Sequence, residues 1–129
     1  MSFKPHQNDN VLQPWEYFPA AAGTYEVGQM LQLSNGQLAA LSAATKTTPP
    51  YVCMARATVA AGEELPVIRV QKDMIFETQL SAEAASAKIG TLLEVSADGL
   101  TADAAEAGTF EVVFLEATAA GSIVRGRFQ

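Results

Sequence analysis

A single cysteine in 129 residues excludes an internal disulfide, and a single histidine excludes the His-rich ligand sets of most zinc sites. Basic residues are also scarce: 8 Lys and Arg face 14 Asp and Glu, for a net charge of −6 and a pI near 4.6. A surface of that sign repels phosphate backbones and anionic lipid, so neither nucleic acid nor a membrane is an expected partner. No apolar run approaches the roughly 18 residues that a membrane helix requires. The polar start MSFKPHQNDN lacks the apolar core of a secretion signal. These absences predict a soluble protein made in a cytoplasm. Hydrophobic residues reach 49%, but much of that is alanine, so the expectation is one domain with a modest core and an arm.

The residues that carry chemistry are thinly spread. Cys53 lies in the apolar run YVCMARA and reads as a small buried hydrophobe. A catalytic thiol would want a histidine beside it, and His6 sits in the polar N-terminal segment. Ser34 and Ser96 occupy turns without a neighbouring base. Asp98, Asp103 and Glu106 lack the alternating oxygen ligands of a calcium loop. Glu63 and Glu64 read as a solvated acidic turn. Arg56, Arg69, Arg125 and Arg127 stand at matching points of two similar halves, where cross-strand ion pairs or a protein partner are the expected uses. No Gly-rich loop opens a helix. The sequence predicts no enzyme, no cofactor and no metal.

What is present is a repeat. YEVGQMLQLSNGQL (25–38) and AKIGTLLEVSADGL (87–100) share a branched residue before Gly, an apolar pair, a Ser and a Gly turn. ARATVAAGEELPVIRV (55–70) likewise matches LEATAAGSIVRGRF (115–128) around an Ala-Ala-Gly turn. Each half, about 24–70 and 87–128, reads as strand, Gly turn, strand, linker, strand, Ala-Ala-Gly turn, strand. Two halves predict about eight short strands in an all-β barrel or sandwich, since neither half offers enough core alone. SAEAASAK (81–88) is expected to be a short helix, with Ser81 as N-cap and Glu83 in its first turn. Gly36, Gly62, Gly99 and Gly121 are expected in tight turns with positive φ.

The order of VGQMLQLSNGQLAA, a Pro-containing linker, YVCMARATVAAGEELPVIRV, IFETQLSAEAASAKIGTLLEVSADGL and GSIVRGRF resembles the head decoration, or capsid cement, proteins of tailed phages over roughly 20–129. The resemblance implies a small β-barrel or β-tulip with a flexible N-terminal arm. It also implies a virion protein on the outer capsid surface, docked on the major capsid protein, commonly as a trimer. Other phage head or tail β-domains, or a small-ligand-binding β-barrel, are the alternatives.

Residues 1–19 carry three prolines and several aromatics but no helical or strand period, which predicts an extended arm apart from the domain at 20–129. Leu12, Trp15, Tyr17 and Phe18 are its expected anchors on the capsid or on an adjacent copy. The opposing expectation is that these aromatics fold back onto their own barrel.

Overall fold

The computed structural model describes residues 2–7 and 15–129. Among these, the chain is all-β. In order, its strands are β1 (Lys4–Gln7), β2 (Glu16–Pro19), β3 (Gly23–Tyr25), β4 (Met30–Ser34), β5 (Gln37–Ala39), β6 (Tyr51–Cys53) and β7 (Ala57–Val59). There follow β8 (Glu64–Arg69), β9 (Ile75–Gln79), β10 (Leu92–Val95), β11 (Ala102–Asp103), β12 (Phe110–Leu115) and β13 (Ile123–Phe128). Thirteen strands replace the expected eight because the arm and the turn flanks also pair.

The strands form two sheets of matching order and a small β3–β7 ribbon. The first sheet runs β2-β8-β6-β4-β5, and the second runs β9-β13-β12-β10-β11 with β1 added outside β9. The match holds residue by residue. Met30 pairs with Val52 as Leu92 pairs with Glu111, and Tyr51 pairs with Arg69 as Phe110 pairs with Phe128. Cys53 N–H donates to the Gln29 carbonyl at 2.8 Å, and Val112 N–H donates to the Thr91 carbonyl at 2.9 Å. Each sheet curls until its first strand meets its last, through parallel bridges Ala20–Leu38 and Leu80–Ala102. The result is a pair of small barrel-like units.

This register corrects one sequence expectation. Arg69 is the counterpart of Phe128, not of Arg127, so the arginines do not repeat between the halves. Matching the halves on their arginines shifts the last strand by one residue, which in a strand exchanges the two faces.

Residues 81–88 are not helical. One isolated turn fixes several dihedrals for a single hydrogen bond, so eight residues cannot hold a helix by propensity alone. Strand β11 and the connection between β12 and β13 take their backbone groups instead: Ser81 N–H donates to the Ala102 carbonyl and Ala84 N–H to the Thr118 carbonyl. Ala84 and Ala87 turn inward into the core.

The arm is extended, but it does not stand apart. Residues 4–7 pair with β9 (Lys4 opposite Glu77) and residues 16–19 with β8 (Tyr17 opposite Pro66). Both are edge strands, where a missing N–H is tolerated. Pro5 and Pro19 stand opposite Phe76 and Glu64, at the non-hydrogen-bonded pairs of their ladders. Phe3, just ahead of β1, is completely buried against Phe76, Phe110 and Phe128, with centroids 5.5–6.3 Å away.

Two cores result. The inner face of the first sheet (Leu31, Leu38, Tyr51, Cys53, Leu65, Val67) closes on Tyr25 and Val59 of the ribbon. The other face of that sheet, with Met30, Val52 and Ile68, is buried as well, inside the larger core of the second half. The first unit therefore lays its back across the front of the second. Gly99 fastens the joint: its carbonyl accepts from Met30 N–H at 2.8 Å, and a Cβ there would run into the Met30 carbonyl.

Candidate functional site

The aromatic N-terminal residues divide by strand parity. Leu12 lies outside the described residues. Phe18 points inward and meets Tyr51 edge-on at 5.4 Å. Trp15 and Tyr17 are left half exposed, at 50% and 56%. The Pro66 carbonyl accepts from Met54 N–H on the β6 side. Tyr17, opposite Pro66, therefore directs its own N–H and carbonyl away from β8, towards the outer edge of the sheet. No described residue pairs with that edge beyond the Ala20–Leu38 bridge.

The same parity gives the second sheet a polar back. Arg125 lies 2.8 Å from Glu77 and over the Phe114 ring at 4.8 Å, while Arg127 lies 3.0 Å from Glu111. Arg56 pairs with Glu26 at 3.3 Å at the surface. These are partly solvated pairs, each worth about 0.2–1 kcal/mol. The Arg125–Glu77 and Arg127–Glu111 pairs make a charged back on which, among the described residues, Phe114 is the large exposed apolar side chain.

Gly36, Gly62, Gly99 and Gly121 have φ of 76°, 89°, 73° and 83°. Asn35, at φ 52°, joins Gly36 in the two-residue β4–β5 hairpin, the pairing that a right-twisted hairpin favours. Ser96 and Asp98 close the corresponding loop of the second half. Ser96 Oγ donates to Asp98 Oδ1 at 2.6 Å, and Leu100 N–H donates to the same oxygen at 3.0 Å.

The Cys53 Sγ donates to the Ala55 carbonyl at 3.0 Å. Burial pushes this thiol above its ordinary 9.0, the Ala55 backbone offsets part of the rise, and the Glu26 carboxylate adds to it. A thiol so held stays protonated and makes a poor nucleophile. Burial, and then the nearby Cys53, likewise raise the Tyr25 phenol, whose hydroxyl donates to the Ala21 carbonyl at 2.7 Å. Cys53 also borders a surface cleft of about 360 Å³, lined by Ser2, Phe3, Lys4, Val27, Gly28 and Met54. Among the described residues, no three His, Cys, Asp or Glu side chains converge as a metal site would require.

Sequence reasoning missed Phe3, which sits in the cleft wall and fills the joint between the halves. Its signal was slight: one large apolar residue among polar neighbours at the head of the chain. Comparison with known protein families, with curated proteins and with solved structures finds no match for this chain.

Proposed function

We propose that this chain is a decoration protein of a tailed-phage head, binding the outer surface of the expanded capsid and reinforcing it. The observation that carries the reading is the Trp15–Tyr17 edge: two half-exposed aromatics on and just ahead of β2, whose outer side has no strand partner among the described residues. Buried aromatics dominate interface energy, often at 2 kcal/mol or more each. A body of two interlocked barrels presents them with little conformational entropy left to lose. Repetition over a symmetric shell then multiplies modest single contacts. The major capsid protein is the partner on this reading, with copies of the chain meeting as an oligomer, trimers being what the resemblance implies. The acidic surface suits a position outside the shell, away from packaged DNA.

Co-sedimentation with expanded empty heads of the phage that encodes the chain tests this. Binding should saturate at a fixed number of copies per head. Trp15→Ala should weaken it by about tenfold or more while leaving the melting temperature nearly unchanged. Heads that pellet without the protein would remove the reading.

A second reading, a small-ligand-binding barrel, has the cleft beside Cys53 in its favour, since about 360 Å³ is within the range of small-molecule sites. Thermal stabilisation by a medium-chain fatty acid, lost in Met54→Arg, would support it over the first.

A further inference from the structure

An asparagine side chain can cyclise onto the backbone nitrogen of the next residue, most readily where that residue is glycine and no side chain shields the nitrogen. Asn35–Gly36 is the one such step in the sequence; Asn8 and Asn10 precede Asp9 and Val11. The step stands at the tip of the β4–β5 hairpin, with both residues exposed and Ser34 paired with Gln37 behind them. The turns at Gly28 and Gly99 have positive φ too, but they are covered. The N-terminal strap (residues 2–7) lies on Gly28, where Phe3 N–H donates to the Gly28 carbonyl at 2.8 Å, and the Met30 backbone crosses Gly99. Nothing lies within 4 Å of the Cβ directions of Gly36 or Gly90. Water therefore reaches the Asn35–Gly36 step.

The fold nevertheless opposes the reaction. Asn35 is the one non-glycine residue with positive φ among the described residues, at 52°, and Gly36 follows at 76°. Two positive φ values in a two-residue hairpin make a type I′ turn, which sets ψ of its first central residue at about +30°. At that ψ the Gly36 nitrogen lies nearly opposite the Asn35 Cβ across the Cα–C bond, whereas a five-membered imide ring needs the two on the same side. Bringing them together rotates ψ by nearly half a turn and unmakes the hairpin tip. Leu38 resists this. It is fully buried, carries the Ala20–Leu38 bridge and accepts from Ala21 N–H at 2.9 Å, so closure of the first barrel anchors the hairpin.

We infer that Asn35 is a modification site gated by the β4–β5 turn, converting to aspartate and isoaspartate only through opening of that turn. In the open state the Gly36 nitrogen gives up its proton to water or hydroxide and attacks the Asn35 side-chain carbonyl carbon. The bond from that carbon to the side-chain nitrogen breaks, and ammonia leaves. Water then opens the imide at either carbonyl, so the net change is amide plus water to carboxylate plus ammonium. Aspartate keeps the turn, since Asp-Gly also fits type I′. Isoaspartate adds a methylene to the main chain, which a two-residue hairpin cannot take up without moving Leu38. Loss of ammonia makes the conversion one-way, and the product adds a negative charge to a chain already at −6. The inference concerns the chain itself and is independent of what it binds.

Incubation of the full chain at mildly alkaline pH tests it, with products separated by anion exchange and the site read from peptide masses. The folded chain should convert at Asn35 at least about tenfold more slowly than the same chain in urea, since only open molecules react. Leu38→Ala, which loosens the hairpin, should raise the folded rate by about tenfold. Gln32→Ala, which removes the bonds to Ala40 and Thr45, should raise it by about threefold. Should Leu38→Ala fail to fold, Gln32→Ala decides this arm. Equal rates in the folded chain and in urea would overturn the inference. So would an Asn35 that stays intact in urea, or a folded rate that the variants leave unchanged.

Discussion

The two halves share one hydrogen-bond ladder and differ in what their backs face. In the first half the back is Met30, Val52 and Ile68, all buried. At the same register positions the second half has Leu92, Glu111 and Arg127, with Glu111 and Arg127 joined as a surface ion pair. A ladder therefore does not decide whether a sheet is covered on one side or two; the residues of one parity do. The front faces differ more subtly. Ala20 meets Leu38 where Leu80 meets Ala102, so large and small exchange places while the pair keeps its volume. Val67 becomes Gly126, and the released space is taken by Phe110, whose ring a Cβ on Gly126 would approach to 2.8 Å.

The comparison is broken most severely at the joint. Phe3→Ala should cost about 3–5 kcal/mol, since it empties a site walled by three other phenylalanines. Chemical denaturation measures this, and a cost below 1 kcal/mol would mean that the strap is dispensable. For the same reason, deleting residues 1–19 should destabilise the domain, because it removes two edge strands as well as Phe3.

The size exchange predicts a strong coupling. Leu38→Ala should cost about 2–4 kcal/mol, and Ala20→Leu about 1–3 kcal/mol through overpacking. Together they rebuild the Leu80–Ala102 arrangement, and the double variant should recover at least about 1 kcal/mol relative to the sum. Simple additivity in a double-mutant cycle would show the two sites to be independent.

The turn glycines sharpen the contrast. Gly90→Ala places a residue at positive φ in open space and should cost about 1 kcal/mol. Gly28→Ala meets the same backbone strain and also the strap, so it should cost about 1–3 kcal/mol more. Equal melting temperatures for the two variants would contradict the difference in cover.

The smallest effect is in alkali. Cys53 and Tyr25 both have folded pKa values raised above the ordinary 9.0 and 10.0, so the folded state holds its protons more tightly than the unfolded chain. That contribution is complete below about pH 9 and is lost as pH rises through the folded values. The melting temperature should therefore fall above pH 9, and Cys53→Ala should fall less steeply there than the wild type. Parallel curves would leave the thiol without a part in it.

The repeat was legible because its marks are backbone demands: Gly where φ is positive, Asn-Gly in a two-residue hairpin, apolar pairs in alternation. Residues 81–88 misled because alanine favours a helix in isolation, whereas here Thr118 and Ala102 compete for the same N–H groups. The prolines of the arm bar a helix and a central strand, and Pro5 and Pro19 indeed stand where an edge strand needs no donor. Which of Trp15, Tyr17 and Phe18 would face inward depended on the parity of β2 against β8, which no local pattern fixes. The exposed pair Ile89 and Phe114 was invisible for another reason: exposure depends on what the partner half fails to cover.

The strap also sets an order of events in synthesis. Phe3 leaves the ribosome well before its partners: the ring of Phe76 follows only after β2 to β8, and those of Phe110 and Phe128 later still. Until then the aromatic has nowhere to go, although residues 16–69 can already pair among themselves as the first sheet. Contacts closed over such sequence distances are slow to form, and they expose apolar surface while they wait. A nascent chain paused before residue 110 should hold a paired first sheet and a loose, chaperone-accessible Phe3 segment, and only β13 completes the site that Phe3 fills.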